Sequence, residues 1–311
     1  MKKLLVGVLG VVSMATSASA ADLAARPYTK APPIAVSPAY NWSGFYIGGN
    51  VGYGFGRVDD ESSSTLAATP AVPGVLPAPL AGPITIPFAS STRTAVDGVI
   101  GGGQIGYNAQ FNRWVLGIEA DIQASDQKRN ASTFTTFGGS TPPAPAFPGS
   151  FTFVTGTQTE TVSTRLDWFG TVRGRVGYTT GDLMWYGTGG FAYGQFKTSV
   201  TQSSVVNVQS TFFGVPPATF TSAGALNASQ NRTGWTAGGG VEGAIWATGW
   251  TWKFEYLHLD FDRVNYVFTT VATGTVSPSV VTRSVRFTDD IVRVGLNYRF
   301  NWGGAGVVAS Y

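Results

Sequence analysis

The sequence predicts an all-β fold: an eight-stranded antiparallel transmembrane up-and-down β-barrel with short periplasmic turns and long external loops. Three observations carry that prediction. Proline-free stretches rich in aromatic residues, Val, Ile and Gly recur eight times between clusters of proline. The connections between them alternate short and long. Within the stretches, apolar and polar residues alternate with a period of two, as in a strand whose two faces meet different surroundings.

Composition excludes several alternatives. Only 12% of the 311 residues are charged, about half the usual share, while 41 are Gly and 13% are aromatic. The absence of Cys removes disulfide scaffolds, Cys-rich zinc modules and iron–sulfur sites. So high an aromatic content argues against intrinsic disorder. The formal net charge of +3 invites a nucleic-acid reading, but Lys2 and Lys3 belong to a targeting segment. Without them 18 basic residues face 17 acids and form no basic run, so no nucleic-acid partner is expected.

Residues 1–20, MKKLLVGVLGVVSMATSASA, open with two lysines and continue with an apolar core from Leu4 to Val12. They end in the small-x-small pattern Ala18-Ser19-Ala20, which predicts a signal peptide cleaved after Ala20. The apolar run is too short to cross roughly 30 Å of hydrocarbon. No later stretch reaches the ~18 consecutive apolar residues of a membrane helix. Any crossing must therefore use a closed barrel, which satisfies its own backbone. Residues 21–41 hold four prolines and no periodicity, and read as an extended periplasmic tail.

The barrel is expected over 42–300, followed by a short extension at 301–311. Its strands are predicted at about 42–56, 95–110, 114–123, 165–179, 183–197, 232–246, 250–262 and 285–300. Each suffices for a tilted crossing of roughly 9–11 residues. The short connections, 111–113, 180–182 and 247–249, fit periplasmic turns. The long ones, 57–94, 124–164, 198–231 and 263–284, are rich in Ser, Thr, Pro and Ala and fit external loops.

The faces follow from parity. In the third stretch Trp114, Leu116, Ile118, Ala120 and Ile122 oppose Val115, Gly117, Glu119, Asp121 and Gln123. In the fourth, Trp168, Gly170, Val172, Gly174, Val176 and Tyr178 oppose Phe169, Thr171, Arg173, Arg175 and Gly177. In the last, Val292, Val294, Leu296, Tyr298 and Phe300 oppose Arg293, Gly295, Asn297 and Arg299. The apolar set is expected against lipid and the polar set in the lumen. The fifth stretch, LMWYGTGGFAYGQF, does not declare its faces. Alternation turns Glu119, Asp121, Arg173, Arg175, Glu242, Lys253, Glu255, Arg293 and Arg299 inward. An eight-stranded barrel has room for little more than side chains, so these charges are expected to pair into a network that closes the lumen. An interfacial aromatic girdle is expected at the short-turn end, from Trp42, Phe45, Tyr107, Phe111, Trp114, Tyr178, Trp185, Trp246, Trp250, Tyr298 and Phe300.

The segment ADLAARPYTKAPP after the signal, the opening YNWSGFYIGGNVGYGFG (40–56) and the closing VRVGLNYRF (292–300) together carry a resemblance. The chain resembles the small β-barrel proteins of alphaproteobacteria called outer-membrane immunogenic proteins, or the RopB-like porin family. That resemblance implies an eight-stranded barrel in the bacterial outer membrane. It also implies roles in envelope integrity, surface antigenicity and, in some members, adhesion or haemin binding. Arg293, Gly295, Tyr298 and Phe300 resemble the terminal-strand signal of such barrels, which implies the barrel-assembly machinery as a partner during biogenesis.

Catalytic chemistry finds little support. His258, the single histidine, lies in YLHLDFD, and a Ser-His-acid arrangement like that of a lipid A deacylase would need a serine that no motif supplies. An interfacial or loop-base histidine is the plainer reading. The runs GGGQIG (101–106) and GGGVEG (238–243) lack the lysine and helix of a phosphate loop, and room for packing under aromatic rings explains them better. Asp260, Asp262, Asp289 and Asp290 could attract a divalent cation or bridge to lipopolysaccharide, though solvated loop acids account for them too. No catalytic residue, cofactor or metal site is expected. The partners are outer-membrane lipid and lipopolysaccharide, with no extracellular ligand named by the sequence. The functional expectation is a structural surface barrel with a mostly closed lumen. The alternatives are a small, weakly selective diffusion porin and a haemin-binding or adhesin barrel.

Overall fold

A computed structural model describes residues 40–68, 84–141, 151–211, 217–245, 248–273 and 278–300. The expected signal peptide, nearly all of the tail and the 301–311 extension lie outside the described residues. The strands are β1 (Gly44–Ala68), β2 (Ile84–Phe111), β3 (Trp114–Thr141), β4 (Thr152–Thr180), β5 (Leu183–Ser210), β6 (Ala218–Ile245), β7 (Trp250–Thr269) and β9 (Val280–Arg299). A two-residue β8 (Val271–Ala272) is added to the side of β6. Successive long strands pair antiparallel, and β9 pairs with both β7 and β1. The sheet therefore closes on itself as an eight-membered up-and-down ring, which leaves no exposed edge where it meets lipid.

The tight turns lie where the sequence placed them. Asn112 (φ 56°), Gly181 (φ 72°) and Gly249 (φ 82°) supply the left-handed backbone that reverses the chain. The long connections differ from expectation. The strands run 20 to 29 residues, about twice a crossing, so much of 57–94, 124–164, 198–231 and 263–284 is paired strand and not loop. The reason is visible in segments such as TETVSTR and SVTQSSVVNVQ. Their Thr, Val and Ser alternate with period two and suit a pleated surface. Pro87 is tolerated within β2 because there β2 pairs with β1 alone, which leaves its other edge without a ladder to break.

The ring does not stay closed along its full height. The β2–β3 ladder stops at Ile100↔Ser125 and the β6–β7 ladder at Gly234↔Phe261, while the other ladders continue outward. Beyond those points the sheet parts into two four-stranded walls, β7–β9–β1–β2 and β3–β4–β5–β6, until β8, which follows β7, pairs with Ser222 and Ala223 of β6 near the outer end. Bulges at Ala124/Gln127, Leu166/Trp168 and Phe261/Val264 fall at or just beyond this level, where an extra residue bends the strand and re-aims its side chains.

Polarity inverts along the strands. Near the tight turns Ile105, Leu116, Ile118, Val176, Trp185 and Leu296 are exposed while Gln104, Glu119, Arg175 and Asn297 are buried. That arrangement is stable only with lipid outside. Farther out, Leu166, Phe196, Leu257, Phe261, Phe287 and Ile291 form one buried cluster between the walls, and the outward positions carry residues such as Asp262, Lys197 and Arg286. The apolar belt runs, for example, over 45–55 in β1, 114–124 in β3 and 292–300 at the end of β9. Even-numbered residues of β5 point inward, which resolves the face that its sequence left open.

Candidate functional site

The lumen of the membrane-spanning half concentrates charge. Glu119 and Asp121 come from β3, Arg173 and Arg175 from β4, Glu242 from β6, Lys253 and Glu255 from β7, and Arg293 from β9. All eight are buried. Within a strand they sit two residues apart, so the pleat sends them to one side. Across strands the register sets opposite charges side by side: Glu119↔Arg173, Glu242↔Lys253 and Glu255↔Arg293.

Arg173 is the hub. Its Nη2 donates to Glu119 and, at 2.9 Å, to Asp121 Oδ2, and its Nη1 donates to Glu255 Oε1 at 3.1 Å. Arg293 Nη2 reaches Asp121 Oδ2 at 2.9 Å, and its Nε donates to Glu255 Oε2 at 2.6 Å. Lys253 Nζ donates to Glu119 Oε1 at 2.9 Å, and Arg175 Nη2 to Glu242 Oε2 at 2.8 Å. Four carboxylates and four cations thus share one connected cluster spanning the barrel. Further neutral side chains extend it. The Tyr46 hydroxyl donates to Glu119 Oε2 at 2.7 Å and the Tyr186 hydroxyl to Glu255 Oε1 at 2.9 Å. Thr171 donates to Asp121, and Thr251 and Asn297 donate to Glu242. The Arg175 guanidinium lies 4.0 Å from the centre of the Tyr186 ring. Gly106 and Gly240 make room for the tyrosines: a Cβ on the first would collide with the Tyr46 hydroxyl, and one on the second would lie 2.8 Å from that of Tyr186. Alternation along β1 could have found Tyr46, whereas Tyr186 lies in the stretch whose faces the sequence leaves open.

Arg299 departs from expectation. It does not join the cluster but lies at the periplasmic mouth, its Nε donating to the Tyr40 hydroxyl at 3.1 Å and its Nη1 to the Ser43 carbonyl at 3.0 Å. Trp42 departs too. Expected in the lipid-facing girdle, it is 1% exposed and packs with Tyr40, Val115, Met184 and Tyr186 inside the mouth. Its parity matches that of Tyr46 and Asn50, so the inward turn was readable. The other described girdle residues, among them Phe45, Trp114, Trp185 and Trp250, are exposed on the outside. Trp246 lies outside the described residues. In the terminal-strand motif Arg293 faces the cluster, and Tyr298 faces lipid between Trp250 and Phe300 (ring centroids 5.2 and 5.3 Å away). Gly295 faces inward, where a Cβ would meet the Gly49 carbonyl oxygen at 2.9 Å.

Above the charges comes an apolar layer. Phe196 packs edge-on against Phe261 and Phe287, with centroids 5.0 and 4.9 Å away, and Leu166, Phe169, Leu257 and Ile291 fill around them. Farther out still, Arg283 of β9 bridges Asp60 of β1 and Glu160 of β4, joining the two walls. Burial pushes the Asp60 carboxyl up against the lowering pull of Arg283. Burial also penalises the Arg283 charge, but the bond and attraction of Asp60, with Glu160 adding to them, prevail and raise its pKa. These residues lay in segments read as loops, which is why the sequence did not connect them.

The four aspartates considered for a cation do not converge. Asp260 pairs with Arg286, Asp262 accepts from Thr233, and Asp290 accepts from Tyr256 and lies 2.8 Å from His258 Nδ1. Asp289 points the opposite way, into the barrel, and accepts from Gln127 Nε2 at 2.9 Å. His258 stands half-buried at the outer rim beside Trp235.

A family model and sequence relatives agree with this architecture. Residues 6–300 match the family model described as "Outer membrane protein beta-barrel domain". The chain is 33% identical over 288 residues to the 31 kDa outer-membrane immunogenic protein of Brucella melitensis biotype 1, covering 92% of this chain and 95% of that protein. It is 26% identical over 233 residues to a 22 kDa outer membrane protein of Rhizobium leguminosarum bv. viciae, covering 74% and 70%. Among solved structures, Ail, the attachment invasion locus protein of Yersinia pestis, aligns with a TM-score of 0.30 at 12% identity, covering 82% of this chain and 99% of that one. The chain belongs to the outer-membrane β-barrel family that includes the alphaproteobacterial outer-membrane immunogenic proteins, and its place is the bacterial outer membrane.

Proposed function

We propose that this barrel is a structural surface protein of the outer membrane, with a lumen closed to ions, that supports the envelope and carries two β walls outward for surface contact. The observation that supports it best is the stacking of three seals along one axis. Trp42 fills the periplasmic mouth, the eight-charge cluster spans the middle, and the Phe196–Phe261–Phe287 layer covers the outer side. A hydrated ion would have to break buried ion pairs whose desolvation is already offset by one another. It would then have to enter an apolar layer that offers it no partner.

Planar-bilayer recording of the refolded mature protein tests this reading. The expected result is a silent bilayer, with brief leaks at most when Arg173 or Trp42 is replaced singly by Ala, since two seals remain in each variant. A large, steady conductance from the unaltered protein, unchanged by either substitution, would reject the closed lumen in favour of a diffusion pore.

A further inference from the structure

We infer that the outer face of the β3–β4–β5 wall, just beyond the lipid belt, binds the phosphate groups of the glycolipid that forms the outer leaflet. Lys128, Arg165 and Lys197 are consecutive cross-strand partners: Lys128 is registered with Arg165, and Arg165 with Lys197. All three side chains are exposed. Like charges placed directly opposite one another repel and destabilise a sheet, so this row works against the fold that carries it.

The opposite wall shows the contrast. There the equivalent row reads Arg286, Asp59, Arg93, with Asp59 registered between the two cations and Arg93 Nε bonded to it at 2.5 Å. That row is self-complementary; the β3–β4–β5 row is not.

The bulge at Leu166/Trp168 sets its geometry. Asp167 is the bulged residue, and its two carboxylate oxygens hold Arg165 Nε at 2.5 Å and Lys197 Nζ at 2.7 Å. One carboxylate thereby fixes the spacing of two cations without neutralising both. Lys128 Nζ lies 3.1 Å from Asp126. Three cations against two carboxylates leave a positive surplus, and the remaining N–H donors face outward. A shallow depression of about 510 Å³ runs over the row, with Asn130, Ser163, Asn227 and Ser229 offering further polar groups.

Depth supplies the ligand. Trp168 and Tyr193, ring centroids 6.0 Å apart, lie on the same strands directly below the row and mark the interface. The row therefore stands at headgroup height, where the outer leaflet presents phosphates on sugars. Those groups accept hydrogen bonds from cations and from the surrounding hydroxyls and amides. The inference rests on membrane orientation and not on whether the lumen conducts, so a leaky barrel would leave it standing.

The test is binding of refolded protein in detergent to lipopolysaccharide, to the same glycolipid stripped of phosphate, and to inorganic phosphate. Unaltered protein is expected to bind the phosphorylated glycolipid and to lose that binding with the stripped form. Lys128→Gln, Arg165→Gln and Lys197→Gln should each weaken binding about fivefold. The triple variant should weaken it well beyond tenfold. Arg93→Gln with Arg286→Gln on the opposite wall should leave it unchanged. The unheated gel band reports folding, and the single Lys197→Gln variant, which removes one exposed side chain, carries the test if the triple variant fails to fold. Equal binding by folded triple variant, or equal binding of the stripped glycolipid, overturns the proposal. Full competition by millimolar inorganic phosphate would reassign the row to a free anion and overturn it as well.

Discussion

β7 crosses both halves of the molecule and carries opposite patterns in each. In the membrane-spanning half Lys253 and Glu255 face inward while Phe254 and Tyr256 face out. Two residues later Leu257, Leu259 and Phe261 face inward and His258 and Asp262 face out. The pleat is unbroken across this change, so the alternation says only that the faces differ. Which face is apolar is decided by what lies outside: hydrocarbon below, water above. The inside then takes what remains, a balanced ion cluster below and a packed core above. The projecting half is thus a two-walled water-soluble structure grown from the rim of a membrane barrel.

The largest expected effect is in the lower half. Arg173→Ala removes one of the cations that Glu119, Asp121 and Glu255 share, with Arg293 and Lys253 remaining, and leaves the buried cluster one positive charge short, which should cost about 3–5 kcal/mol. The urea midpoint of the refolded protein, followed by tryptophan fluorescence, measures it. A loss below about 1 kcal/mol, the value of a solvated surface pair, would mean that water fills the lumen and that the two halves do not differ in the way described.

Phe196→Ala asks the same of the upper half. Phe196 is buried against Phe261 and Phe287, and its truncation should cost about 3 kcal/mol. The loss should be local: protease should begin to cut within the walls while the unheated, folded gel band of the membrane half persists. Loss of that band together with the walls would show that the halves fold as one cooperative unit.

The membrane half was legible because both its faces are constrained. Glu119, Arg173 and Arg293 could be assigned inward from parity, with Ile118, Val172 and Val292 assigned outward by the same count. The projecting half was less legible, since its outward faces are Ser, Thr and Asn, which resemble loop composition. Its inward Leu166, Val200 and Phe268 alternate as well, but they sit among residues of weak contrast. Pairings such as Arg283 with Asp60 and Glu160 join residues 223 and 123 positions apart, and no local period announces them. Trp42 was misplaced because the girdle was assigned by composition at strand ends, where the chain turns inward across the mouth; Arg299 was turned inward by alternation, but parity carries no depth, and its bonds to Tyr40 and Ser43 hold it at the mouth, apart from the cluster.

Asp289 sharpens the contrast within one residue step. It points into the upper core, beyond the belt, and burial pushes its carboxyl up to about 7, with Asp290 and Asp97 adding to the rise and the Gln127 bond opposing it. A raised carboxylate binds its proton in the folded state while the unfolded chain has already released it. Stability should therefore fall as pH rises from the ordinary carboxylate range through about 7. Between pH 5.5 and 8 the loss should be about 2 kcal/mol, and Asp289→Asn should remove most of it. A flat profile for the unaltered protein over this range would mean that water reaches Asp289 and that the upper core is not dry.

Its neighbour Asp290 faces the other way and should give the smallest effect. Burial works against its charge, but bonds from His258 and Tyr256 hold its carboxyl below the usual range. The stabilisation it brings is present above the unfolded carboxylate value and fades as pH falls through the lowered one. Asp290 and His258 are each about one-third exposed, so solvent screens the pair, and Asp290→Asn should cost less than about 1 kcal/mol at neutral pH. A double-mutant cycle with His258→Ala isolates the pair from the Tyr256 bond, which is 2.7 Å long and remains in the His258→Ala background. A coupling near zero fits a rim bathed in water. A coupling above about 1 kcal/mol would mean that the pair sits in a poorly solvated layer. The hydrocarbon boundary would then lie outward of His258, and the inversion of polarity along β7 would begin inside the membrane instead of at its surface.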